Sequence, residues 1–246
     1  MGQPWVLILG HSFIRHLRDF IVKNTPEYHL NLHLTNLVTV QWHGVGGRTI
    51  AKVCQCDLGE VIRFCPDIVF LQIGTNDLAQ HGMSPLTVVL LDEYGVSLLC
   101  VGQTIRSHLV GNFNENVQVL SQYLNTVLEL LPFAIYWTHR GFWRASNSYL
   151  SYDGVHLNRE GQHKLFKSIR GAVMQCLNRL TTWRFSSPHQ SHLPRCVQSA
   201  FCVPWFTFTD HELLLLVLNT LGVRAFLRKC PSLISVMIFD VILRYC

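Results

Sequence analysis

The chain is 246 residues long, 49% hydrophobic and 14% charged, with a formal net charge of +5. That length holds one α/β domain with an appendage and is too short for two full domains, while the composition is far too apolar for a disordered chain. Nor is the charge a nucleic-acid footprint: residues 1–183 carry 14 Lys and Arg against 12 Asp and Glu, later residues carry 6 against 3, and no basic run is interleaved with aromatics.

In chain order, Trp5 to Leu9 is a short apolar run stopped by Gly10, which predicts a buried strand. Phe13, Ile14, Leu17, Phe20 and Ile21 then fall on one face of an amphipathic helix, with Arg15, His16, Arg18 and Asp19 opposite. A second strand is expected over Leu37 to Trp42, followed by Gly44, Gly46 and Gly47, and a helix over Ile50 to Phe64. Ile68 to Ile73 is an unbroken β-branched and aromatic run, as in a central strand covered on both faces. A short helix is expected over Ser84 to Tyr94, stopped by Gly95, then a strand over Val96 to Val101. Asn114 to Leu131 predicts a longer helix, Phe133 to Trp137 a fifth strand, 138–158 a loop, and Arg159 to Leu180 a last helix.

Five strands alternating with helices imply a parallel sheet in a three-layer α/β/α domain, whose ligands bind beyond the carboxyl ends of the strands. The expected domain is 1–183. After Trp183 a Ser-, His- and Pro-containing linker leads into an apolar C-terminal extension, 184–246, expected to be poorly ordered. Its runs Leu213 to Leu218 and Leu233 to Leu243 are too short to span a bilayer, so no transmembrane segment is expected. Nine cysteines make an odd set with no Cys-x-x-Cys pair, and the first residues carry no charged n-region. These features point to free thiols in a cytoplasmic setting, with no metal site.

Three polar clusters sit after strands and a fourth sits before the last helix. Gly10-His11-Ser12 puts a serine at an electropositive helix start, which suits a nucleophile but equally suits an N-cap. Gly44 to Thr49 is either a flexible turn or a place where a backbone N–H can approach a reacting carbonyl. Gly74-Thr75-Asn76-Asp77 offers an amide side chain at the same edge. In Asp153-Gly154-Val155-His156 the Asp can orient one imidazole nitrogen while the other faces a serine; the alternative is a cap for the last helix.

In order and spacing these four segments resemble the blocks of the SGNH (GDSL-like) hydrolases, over residues 5 to about 180. The resemblance implies a flavodoxin-like sheet in the order 2-1-3-4-5 and a serine esterase forming an acyl-enzyme. It implies Ser12 as nucleophile, His156 as general base and Asp153 as its partner. An oxyanion hole would come from the Ser12 N–H, the Gly47 N–H and the Asn76 side chain. Such an enzyme needs no metal or organic cofactor, and its substrate would be a small-molecule, lipid or sugar ester. His11 departs from the family's usual Asp, a residue that braces loops without joining the triad.

The segments Gly10 to Arg15 and Trp137 to Trp143 resemble, more loosely, SGNH-type domains of uncharacterised animal and retroelement-linked proteins. The competing expectation is therefore a binding module of the same fold with weak turnover, or a nucleic-acid accessory protein.

Overall fold

Five strands, β1 (Trp5–Gly10), β2 (Thr39–Gly44), β3 (Ile68–Gln72), β4 (Leu98–Gly102) and β5 (Ala134–Trp137), pair in parallel in the order 2-1-3-4-5. The computed structural model describes residues 2–80, 96–105, 107, 112–142 and 147–186. Successive side chains of a strand point to opposite faces, so the apolar runs of the three central strands feed two cores at once. Val6, Ile8, Ile68, Phe70, Leu98 and Cys100 pack on one face; Leu7, Leu9, Val69, Leu71, Leu99 and Val101 pack on the other.

The first face is covered by α1 (Ser12–Asn24) through Phe13, Ile14, Leu17 and Ile21, and by the last helix, Arg159–Ser186, through Leu165, Ile169, Val173 and Cys176. The second is covered by Leu120, Leu124 and Leu128 of the helix Phe113–Glu129 and by Ile50, Val53 and Val61. The apolar stripes read from the 3.6-residue period are thus the buried ones.

The expected helix over 50–64 is helical throughout, but its middle widens: α2 (Ile50–Lys52) runs through a π turn over Val53–Asp57 into α3 (Leu58–Phe64). The wide turn accompanies the burial of Asp57, which is 2% exposed. A short α4 (Thr75–Gln80) follows β3. The helices at Phe113–Glu129 and Arg159–Ser186 are α5 and α6.

Strand β2 begins and ends two residues later than its apolar run, because pairing with β1 sets its frame, with Trp5 opposite Thr39 and Gly10 opposite Gly44. The expected helix over 84–94, Trp143 and the extension beyond residue 186 lie outside the described residues. Among the described residues, no helix is long and apolar enough to cross a membrane.

Candidate active site

The carboxyl end of β1 delivers His11 and Ser12 to the edge where β3 ends. The His11 N–H donates to the Gln72 carbonyl at 3.2 Å. His11, not Ser12, is the N-cap of α1: its Nδ1 accepts the Phe13 N–H at 3.4 Å. That leaves the ring proton on Nε2, which faces Thr75 Oγ1 at 3.3 Å. Burial, with His156 adding to it, pushes the His11 imidazole down to about 4, so the ring is neutral. It braces the serine segment to the segment after β3, the service the resemblance assigns to an Asp. As the first residue of α1, Ser12 keeps its hydroxyl free of capping, and its N–H belongs to the helix start, which has no intrahelical acceptor.

Ser12 Oγ faces His156 Nε2 at 3.3 Å, and His156 Nδ1 faces Asp153 Oδ2 at 2.6 Å. The other Asp153 oxygen accepts the N–H groups of Val155 and His156, each at 2.9 Å. These bonds, the imidazole's first among them, hold the carboxyl down to about 2. Asp153 does not cap α6. That task falls to Asn158, whose Oδ1 accepts the Gly161 N–H at 2.9 Å, so the capping alternative for this stretch belongs to a neighbour. The His156 ring makes an edge-to-face contact with Phe13, centroids 6.2 Å apart, and a tilted one with His16, centroids 4.5 Å apart.

The glycine segment is held from two sides. Asn76 Nδ2 donates to the Arg48 carbonyl at 2.7 Å, and Asp77 Oδ1 accepts the Ile50 N–H at 2.8 Å. Burial raises the Asp77 pKa, opposed by backbone N–H groups. On the far side the Arg48 guanidinium meets both oxygens of Asp57, at 2.9 and 3.0 Å, and His43 Nε2 meets the same carboxylate at 3.1 Å. Gly47 sits within this clamp at φ +70°, and one of the two Asn76 amide hydrogens remains beyond the Arg48 bond.

Sequence reasoning missed Asp57. Its signal was present: four residues after Val53 and four before Val61, it lies on the core face of a helical pattern, where a carboxylate needs partners.

A second network missed by the sequence lies under the sheet edge. The Trp137 Nε1–H reaches Ser168 Oγ at 3.0 Å, and Ser168 lies 2.8 Å from His139 Nδ1. His139 Nε2 meets Gln72 Oε1 at 2.7 Å, and Gln72 Nε2 donates to the Gln103 carbonyl at 2.9 Å. With Gln72 and Trp137 fixed as donors, one proton arrangement satisfies the chain, with His139 neutral and protonated on Nε2. Burial takes that imidazole down to about 3.

No protein-family model and no curated protein matches the chain. Solved structures do. A GDSL-like lipase from Bacteroides thetaiotaomicron is 16% identical, with a TM-score of 0.54 over 71% of this chain and 92% of that one. A family 3 carbohydrate esterase from Clostridium thermocellum is 16% identical, with a TM-score of 0.56 over 73% and 99%. An alpha/beta hydrolase enzyme from the metagenome of Lake Arreo, Spain, is 17% identical, with a TM-score of 0.57 over 72% and 98%. The chain shares the α/β fold of these solved hydrolase structures, and its own described residues form a five-stranded parallel sheet within it.

Proposed function

We propose that this protein is a serine esterase that hydrolyses carboxylic esters through Ser12, His156 and Asp153. The observation that carries the proposal is the unbroken contact chain from Asp153 through His156 to Ser12 at the first residue of α1. His156 Nε2 would take the hydroxyl proton as Oγ attacks the ester carbonyl, and Asp153 would stabilise the imidazolium that forms. The oxyanion would be met by the N–H groups of Ser12 and Gly47 and by the free Asn76 amide hydrogen. Collapse would expel the alcohol, protonated by His156, and leave an acyl-Ser12 that water attacks by the same route in reverse.

Turnover of para-nitrophenyl esters of graded acyl length tests this. Because Ser12 and His156 act as one unit, Ser12→Ala and Ser12→Ala/His156→Ala should be equally inactive. Asn76→Ala should lose on the order of a hundredfold to a thousandfold in kcat, since it removes one donor to the developing charge. Hydrolysis that persists in folded Ser12→Ala protein would overturn the assignment.

A further inference from the structure

We propose that Arg15 recognises a negatively charged group, carboxylate or phosphate, carried by the ester substrate. The inference rests on the esterase proposal for its site and names a substrate class for it. Ser12, Arg15 and His16 are separated by three and four residues on α1, so they share the face of the helix that looks over the sheet edge.

The Arg15 guanidinium is oriented rather than loose. Its Nη2 lies 3.0 Å from His16 Nε2, and because a guanidinium only donates, that nitrogen accepts and the ring proton sits on Nδ1. His16 in turn packs on the ring of His156. Burial first, and then the charges of His156 and Arg15, lower the His16 pKa, with Asp19 and Asp153 opposing, in keeping with a neutral acceptor ring.

On its other side the guanidinium lies against the glycine segment. A Cβ on Gly46 would stand 3.3 Å from Arg15 Nη1, 3.5 Å from Cζ and 3.7 Å from Nη2. The fork therefore rests along the backbone of Gly46, whose following peptide carries the Gly47 N–H proposed for the oxyanion. This places a permanent positive charge, with donors still unused, between the nucleophile's helix and the oxyanion segment.

No carboxylate lies within ion-pair distance of that charge among the described residues. The carboxylates of the site have other partners: Asp153 has His156, Asp57 has Arg48 and His43, and Asp77 accepts the Ile50 N–H. Guanidinium groups form their strongest contacts bidentately with carboxylate or phosphate, which matches donors left open beside a reacting carbonyl.

The test compares matched esters. Carboxylate on the acyl side is para-nitrophenyl hemisuccinate against para-nitrophenyl butyrate. Carboxylate on the alcohol side is para-acetoxybenzoate against its methyl ester, and phosphate is para-acetoxyphenyl phosphate against para-acetoxyanisole. The readout is the ratio of anionic to neutral kcat/KM in at least one pair, which cancels any general loss of activity. The ratio should fall by about tenfold or more in Arg15→Gln, recover partly in Arg15→Lys, and fall with added salt in wild type. A ratio unchanged by Arg15→Gln in every pair overturns the proposal while leaving the esterase assignment standing.

Calorimetric binding of the same esters to Ser12→Ala protein, with and without Arg15→Gln, separates the two claims. If wild type turns over no ester but Ser12→Ala protein prefers the anionic member and loses that preference with Arg15→Gln, the esterase assignment fails and the anion site stands. If the preference is absent there as well, both fail.

Discussion

Two tasks meet at the start of α1, capping a helix and presenting a hydroxyl to an imidazole, and the residues divide them between His11 and Ser12. A serine that capped its own helix would spend its oxygen on a backbone N–H, whereas here the oxygen faces an imidazole. The same economy governs Gly47. Its φ of +70° lies where a Cβ is strained, yet a Cβ there would touch nothing within 4 Å. Gly47→Ala should therefore cost stability through backbone strain alone, about 1–2 kcal/mol. If relaxation of that strain turns the N–H away from the oxyanion, kcat falls further than stability does. Urea unfolding alongside ester turnover checks this, and a variant with wild-type kcat would remove the Gly47 N–H from the oxyanion hole.

At the scale of elements, the strands and the long helices were legible because both hydrophobic periods are strong: continuous apolar runs in β1, β3 and β4, and clean stripes on α1, α5 and α6. What escaped was set by partners distant in sequence. The frame of β2 follows from its pairing with β1, and the π turn at Val53–Asp57 accompanies a carboxylate held by Arg48 and His43. In the candidate site, the sequence displays Ser12, Asp153 and His156 as motifs, and the fold brings these three side chains together. His11 as a cap was not legible, because histidine is an uncommon one, and neither was the Gln72 to His139 chain, whose members lie far apart in sequence. That chain requires a glycine at the end of β4: a Cβ on Gly102 would fall 2.3 Å from Gln72 Oε1 and 3.0 Å from His139 Nε2. Gly102→Ala should cost roughly 2–4 kcal/mol, overpacking plus a disrupted buried hydrogen bond. Gly59→Ala, in α3 with open space around it, should be neutral or stabilising by up to about 1 kcal/mol. Equal urea midpoints for the two variants would show that the network does not constrain β4.

For the molecule as a whole, the buried imidazoles set the acid side of stability. His11 and His139 have folded values of about 4 and about 3, both below the unfolded value of 6.5. Below pH 6.5 the unfolded chain binds protons that the native state refuses until those lower values are reached, so stability falls as pH drops. Each histidine contributes a slope of up to about 1.4 kcal/mol per pH unit. Asp153 acts with the same sign but later, its contribution fading only as pH falls from near 4 toward about 2. Urea midpoints should therefore decline between pH 6.5 and 4, and flat midpoints across that range would contradict neutral burial of both rings. The central claim, that Ser12 is an activated nucleophile, is tested most directly by labelling with a fluorophosphonate and mapping the modified peptide. The account predicts phosphonylation of Ser12 with loss of fluoride, slowed in Asn76→Ala and absent in Ser12→Ala. A folded wild-type protein that takes no label, or takes it at another residue, would contradict it.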